Sequence, residues 1–430
     1  MVRINALLIA CVGLIVIRSA FEVLLHHLNV CHLRRSEGRV PEVFDGRVDR
    51  EKMARITAYT IDLERLRLID SLFFQLMTLG VLVSGFLPWV VQKISLAVSN
   101  PVGAGLVFFA LLRIVYGIPS ICFDLYETFV IENRYGFNTT TLRTWILDLM
   151  KQTVVSALLG GVILGLLLTL IGARHETWWI WAWIVMALFE GIMVWLYPLV
   201  IAPWFNRFEP IPDGNLKRRI RDSMERAGLT VGGVFQMDAE KRTRHTNAFF
   251  TGLGRTKRIV LFDSLLRRHS EEEIVAILCH EAGHWKRGHL IKGLVFLEIV
   301  TLGLLYAASR LLNWPLLYDT FRLSETTAFA GLFVIGVLIT GVGYFFRPVG
   351  SAVSRRFEKQ ADDMAVELAG TPTFLVQALR TLSLDNLANL NPHPLYAWFY
   401  YSHPPVAERI GRLERGKGMR SSHEAESAPI

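Results

Sequence analysis

The sequence predicts a mainly α-helical, polytopic membrane protein with a small β edge, and three observations carry that expectation. Apolar residues make up 52% of the 430, and the mean hydropathy is +0.36, high for a soluble chain. They gather into runs near 5–28, 70–92, 101–123, 153–173, 178–203, 290–312 and 327–347, seven in all. Each is long enough to cross about 30 Å of hydrocarbon. Basic residues, finally, collect in alternate loops.

Taken in order, the first run follows Arg3 without a small-residue cleavage site, so it reads as a retained helix rather than a removed signal. A charged connector over 29–69 carries a helix at 48–68, where acids and bases recur at helical spacing. The stretch 129–140 is too polar to span and reads as an ordered strand or turn. Trp178, Trp179, Trp181 and Trp183 open the fifth run as an interfacial belt. The chain then leaves the membrane with an amphipathic helix at 216–227 and short strands at 234–237, 246–252 and 258–262. Ser270 followed by Glu271, Glu272 and Glu273 starts a helix that runs almost directly into the sixth run. Beyond the seventh come helices at 354–368 and 373–384, a rigid turn at 400–405 and a helix bearing Arg409. The expected division is a membrane region with connector (1–203), a first extramembrane part (204–289), two spans (290–348), a second extramembrane part (349–415) and a flexible tail (416–430).

A net charge of +8 could suit nucleic acid, but its placement argues against that partner. Arg34, Arg35, Arg39, Arg47, Arg50, Lys52, Arg55, Arg65 and Arg67 fill the first connector, whereas the next has Lys93 and later even-numbered loops little beyond Arg174 and Arg322. This positive-inside pattern puts the N-terminus outside or lumenal and the two extramembrane parts, 204–289 and 349–415, on the cytoplasmic side. Arg18, Glu22, Arg113 and Glu190 lie within spans, where charges face a bundle interior or a watery cavity. Cys11, Cys31, Cys122 and Cys279 have neither disulfide nor metal spacing, and Cys279 reads as a core thiol.

The chemistry centres on His280-Glu281-Ala282-Gly283-His284. Two histidines four apart fall about 40° from each other on one helical face, so both rings can reach one ion. Glu281 sits beside them as a general base. Catalytic zinc takes three protein ligands, so one is missing from the motif. Leu290 occupies the place of a histidine six residues after His284, and His289, about 180° round a continuous helix from His280, is excluded. The third ligand therefore comes from elsewhere. Glu358 is the best candidate, with Asp362 one turn on able to fix the His280 tautomer. A solvent-facing acid pair would be spelled the same way.

The ordered set of motifs resembles the zinc-dependent membrane CAAX prenyl protease family of the a-factor-converting type. Phe129 to Asn138 is similar to its F-V-I-E-x-x-x-G-F-N stretch, and Asn206 to Pro210 to its exit loop. Asn247-Ala248, the H-E-x-x-H segment, Glu358 to Ala365, and Ser402-His403-Pro404-Pro405 with Arg409 continue the match. The resemblance implies about seven helices enclosing a water-filled chamber, capped by a gluzincin-like zinc peptidase domain with a small β-sheet. It implies one Zn2+ per chain held by His280, His284 and Glu358, with Asp362 behind them. It also implies Glu281 as proton carrier and His403, supported by Arg409, as donor to the oxyanion. Asn247-Ala248 would pair with substrate as an added strand, unless Asn247 is an ordinary strand-end residue.

The expected substrate is a peptide or protein with a prenylated C-terminus, in the endoplasmic reticulum or a bacterial inner membrane, with lipid as the surrounding partner. A broad-specificity membrane quality-control protease is a second reading. A zinc-containing scaffold or channel without catalysis is a third, and Glu281 argues against it, since a structural site has no use for a base.

Overall fold

The computed structural model describes residues 2–36, 38–252, 257–324 and 327–426, with backbone alone for 417–426. Seven of its helices are long and apolar enough to cross a membrane, at the seven places the hydropathy marks. Their boundaries differ in ways that matter.

Helix α1 (Ala6–Arg35) starts at Asn5, whose side chain caps Leu8, and packs along α2 (Arg50–Val83). The expected connector helix and second span are one element: α2 runs unbroken from the charged end into the apolar end, because nothing between them stops a helix. It ends early, at Ser84-Gly85, where Gly85 takes a left-handed φ of 85° and turns the chain into the short α3 (Phe86–Ala97). Helix α4 (Pro101–Tyr126) then corrects the first half of the strand-or-turn expectation at 129–140, whereas a turn at 135–136 and an isolated bridge from Asn138 to Thr243 agree with the second half. The helix continues as a π-helical segment, Glu127–Glu132, and the chain leaves helix only at Gly136, φ 79°. Polarity misled there because Glu132 finds internal partners: Tyr59 donates to it at 2.5 Å and His245 lies 3.1 Å away. Helices α5 (Leu142–Ala173) and α6 (Trp178–Leu196) follow, the latter extended by a π-helical turn into α7 (Ala202–Phe205).

The charges within the spans turn inward. Glu22 is buried and accepts from Ser71 and Gln75 of α2. Arg113 lines a cavity of about 980 Å³ between α4, α5 and the segment 197–206 that follows α6, and Arg18 lines a second of about 550 Å³. Outward positions such as Ile9, Leu158, Ile299 and Phe346 are more than 60% exposed, the surface a lipid-facing helix presents.

Outside the membrane, a four-stranded sheet has the order β1-β2-β4-β3. Strand β1 (Phe208–Pro210), too short for an alternation pattern to reveal, is antiparallel to β2 (Gly233–Met237), and α8 (Asn215–Arg226) connects them. β2 is parallel to β4 (Arg258–Phe262), and β3 (Ala248–Thr251) is antiparallel to β4. After α9 (Asp263–Arg268), Ser270 and Glu273 form a reciprocal capping box that opens α10 (Glu271–Lys286). Gly288, φ 65°, breaks the chain before α11 (His289–Leu312), and α12 (Pro315–Phe321) follows.

The seventh span and the helix expected at 354–368 are a single element of 42 residues, α13 (Ala328–Ala369). It accommodates Pro348, whose missing N–H costs one ladder bond without ending the helix. Helices α14 (Thr373–Asp385), α15 (Pro394–Tyr400) and α16 (Val406–Glu426) complete the fold, so helix continues through much of the stretch expected as a flexible tail; residues 427–430 lie outside the described set. One core cluster joins Met53, Ile56, Tyr59 and Ile131 to Ile259, Leu261, Leu278, Leu379 and Ile410, so the connector helix and the peptidase part share an interior.

Candidate metal centre

Helix α10 lies against α13, and Gly283 lets it come close. A Cβ at Gly283 would stand 2.9 Å from the Ala361 Cα, closer than real Cβ atoms approach a backbone. Ala361 is one turn from Glu358 and adjacent to Asp362, so this contact sets the two acids opposite the two histidines.

The facing groups converge. His280 Nε2 and His284 Nε2 are 3.3 Å apart, Glu358 Oε2 is 3.4 Å from the first, and Glu358 Oε1 is 3.2 Å from the second. A tetrahedral ion with bonds of about 2.0–2.1 Å holds its ligand atoms about 3.3 Å apart, so this donor set fits one metal ion without rearrangement. Among the described residues, these three form the group able to hold a metal.

Behind them, His280 Nδ1 lies 2.9 Å from Asp362 Oδ1, a carboxylate placed to take the Nδ1 proton when Nε2 faces a metal. Asp362 is fully buried and also receives two bonds from Arg409, at 2.6 and 3.1 Å, and one from Arg412 at 3.2 Å. Arg409 also lies 3.5 Å from Glu358. Burial opposes charging of His280, but its bonds to Asp362 and Glu358 outweigh that and push its pKa up to about 9 in the metal-free protein. Burial pushes the Glu281 carboxyl above its ordinary range, the nearby imidazoles opposing.

His403 Nδ1 lies 2.9 Å from Glu358 Oε2, and its side chain is 62% exposed. Asn247 is exposed and its side chain accepts from the Ala248 N–H, 2.8 Å. Ala248 opens β3, which pairs with β4 on one side and, among the described residues, with no strand on the other. Phe250 of β3 lies 6.2 Å from the Trp285 ring of α10, so the open edge runs beside the metal-binding helix.

Comparison with known proteins adds the family. A model of Peptidase family M48 matches residues 210–417, and one described as CAAX prenyl protease N-terminal, five membrane helices, matches 29–207. A curated relative, CAAX prenyl protease 1 homolog of Arabidopsis thaliana, is 31% identical over 411 residues, 94% of this chain and 96% of its own.

The chain belongs to peptidase family M48.

Two further likenesses fit an M48 assignment. CAAX prenyl protease 1 of Saccharomyces cerevisiae is 33% identical over 73% of each chain. The crystal structure of S. mikatae Ste24p superposes with a TM-score of 0.88 at 28% identity, covering 96% of this chain and 100% of that one. The protein is thus a multi-pass membrane metallopeptidase, and its M48 family implies a metal.

Two parts of this M48 centre are absent from the sequence reading, and a third, His289, is misplaced in it. Gly283 is the small residue that a close helix crossing demands; its signal was in the motif itself. Arg412 shares Asp362 with Arg409 and stands one turn past a residue already singled out. His289 is not on the opposite face: Gly288 ends α10, and α11 swings His289 back until its Nδ1 is 3.0 Å from His284 Nδ1. The angular argument assumed a helix continuous through 289, whereas α10 stops at Lys286.

Proposed function

We propose that this chain is a zinc endopeptidase that cleaves near the C-terminus of prenylated proteins, as the name of its CAAX prenyl protease relatives describes for them. The observation that carries the reading is the convergence of His280, His284 and Glu358 with the half-buried Glu281 beside them. Zinc, when held by those three, supplies Lewis acidity that polarises a carbonyl and makes water a nucleophile at neutral pH.

The chain's own residues do the rest. Glu281 accepts the proton of the attacking water and passes it to the departing amine, and its raised affinity for a proton suits both steps. His403, free on its exposed side, donates to the oxygen on which negative charge develops. Asp362 holds the His280 tautomer, and Arg409 neutralises Asp362 and Glu358 together. Substrate lies along the open edge of β3 as an added strand at Asn247 and Ala248, paired through backbone groups and therefore weakly selective for side chains. The isoprenoid occupies the cavity lined by Ile114, Ile118, Ile121, Leu149 and Val155, which also reaches Arg242, six residues before β3. The basic connector loops argue for a cytoplasmic peptidase face, in either the endoplasmic reticulum or a bacterial inner membrane.

Purified protein is given matched farnesylated and unfarnesylated C-a-a-X peptides, with chelator and with zinc restored. Chelator-sensitive cleavage that favours the farnesylated peptide is expected. Equal cleavage of both would replace the reading by membrane quality control, and no cleavage by zinc-loaded protein would remove the enzyme reading. Glu281→Ala is expected to keep zinc and lose turnover.

A further inference from the structure

We propose that His289 is a positioning residue for the metal: its ring fixes the tautomer of His284 by accepting that ligand's Nδ1 proton, and Gln360 fixes His289 in turn. This deepens the zinc reading above and rests on it.

A histidine that offers Nε2 to a metal carries its proton on Nδ1, and that proton needs an acceptor. Asp362 serves His280. For His284, the atom within reach of Nδ1 is the Nδ1 of His289, at 3.0 Å. Two ring nitrogens share one proton only if one of them is bare. The other side of His289 decides which: its Nε2 is 2.9 Å from Gln360 Oε1, an amide oxygen that can only accept. The His289 proton is therefore on Nε2, its Nδ1 is bare, and His284 Nδ1 must donate. Among neutral rings, this is the one arrangement that satisfies both contacts and leaves His284 Nε2 free for a metal.

The ring is held for that task. His289 is 5% exposed and stacks on Phe357 with centroids 4.1 Å apart and planes 7° from parallel. Phe357 and Gln360 flank Glu358 on α13, so one helix brings a ligand and orients both histidines, His280 through Asp362 and His284 through His289.

The test measures zinc affinity of the full chain in detergent by competition with a chromophoric chelator at fixed pH. The visible absorption of the Co2+-substituted protein and the melting temperature of the metal-free protein are read alongside. His289→Phe, which keeps a ring against Phe357 but removes the acceptor, is expected to weaken zinc about tenfold or more, alter the Co2+ band and leave the metal-free melting temperature near wild type. His289→Gln, whose amide oxygen can accept, is expected to recover part of the affinity. Unchanged affinity and Co2+ band in His289→Phe would overturn the proposal, as would a loss that follows metal-free stability and is not recovered by His289→Gln. If His289→Phe does not fold, Gln360→Leu takes its place: weaker zinc supports the relay, and unchanged zinc overturns it. Wild-type protein that binds no zinc, or His284→Ala that binds as tightly as wild type, would remove the zinc reading and this inference together. Zinc-binding wild type with unaffected His289→Phe and Gln360→Leu would remove the inference alone.

Discussion

In the proposed reaction Glu281 holds a proton and gives it back, and burial makes it a stronger proton acceptor than a carboxyl in water. Activity should therefore fall as pH drops through the raised pKa of Glu281, and the acidic limb of a kcat/KM profile should lie above 4.5, the ordinary value. His280 makes a second prediction. In the metal-free protein its pKa is raised from 6.5 to about 9, so the stability its charged form contributes is complete below 6.5 and lost as pH rises through 9. A metal must displace that proton, so apparent zinc affinity should drop by about tenfold per pH unit as pH falls below 9; chelator competition over this range measures the slope. At this scale the sequence was legible where periodicity alone places a side chain. His280, Glu281 and His284 sit on a helix that runs as the pattern says. Glu358 and Asp362 stayed open because an acid pair one turn apart is spelled alike in water and at a metal, and His289 was misplaced because a helix break at one glycine leaves no mark on periodicity.

Between helices, the decisive contact is α10 against α13. Gly283→Ala puts a methyl against the Ala361 backbone, forcing the helices apart and Glu358 away from the histidines. Loss of zinc in dialysed protein, with helical content retained, is the expected result; full zinc occupancy would show that the contact yields. Arg409→Met leaves buried Asp362 with His280 and Arg412 as its partners and should lower stability by roughly 3 kcal/mol, the low end for breaking a buried pair, as denaturant unfolding would read. The sequence marked where these helices lie but not that charged and apolar segments fuse, as they do in α2 and α13. A hydropathy run ends where its polarity changes, whereas a helix ends only where its backbone is interrupted, as at Gly85 and Gly288.

Over the whole molecule, the two family segments meet in one interior. A fragment of residues 208–430 would lose Phe44, Met53, Ile56, Ile131 and Phe137 from its core. It should aggregate in detergent and take up no zinc, and a monodisperse zinc-binding fragment would contradict a shared core. That sharing was hidden because it joins residues far apart in the chain, through Tyr59, Glu132 and His245, whose polar spelling reads as surface.

One consequence of α13 concerns insertions and deletions. Because the ladder runs from the bilayer to Glu358, the carboxylate's direction is counted in residues, like a tooth on a shaft. One residue added between 348 and 357 would turn it by about 100°, while seven would bring it back to within about 20° of its bearing but carry it about 10 Å along the axis. Loops elsewhere can lengthen without disturbing the centre; this rod cannot, so its length is a calibration of the enzyme against its membrane.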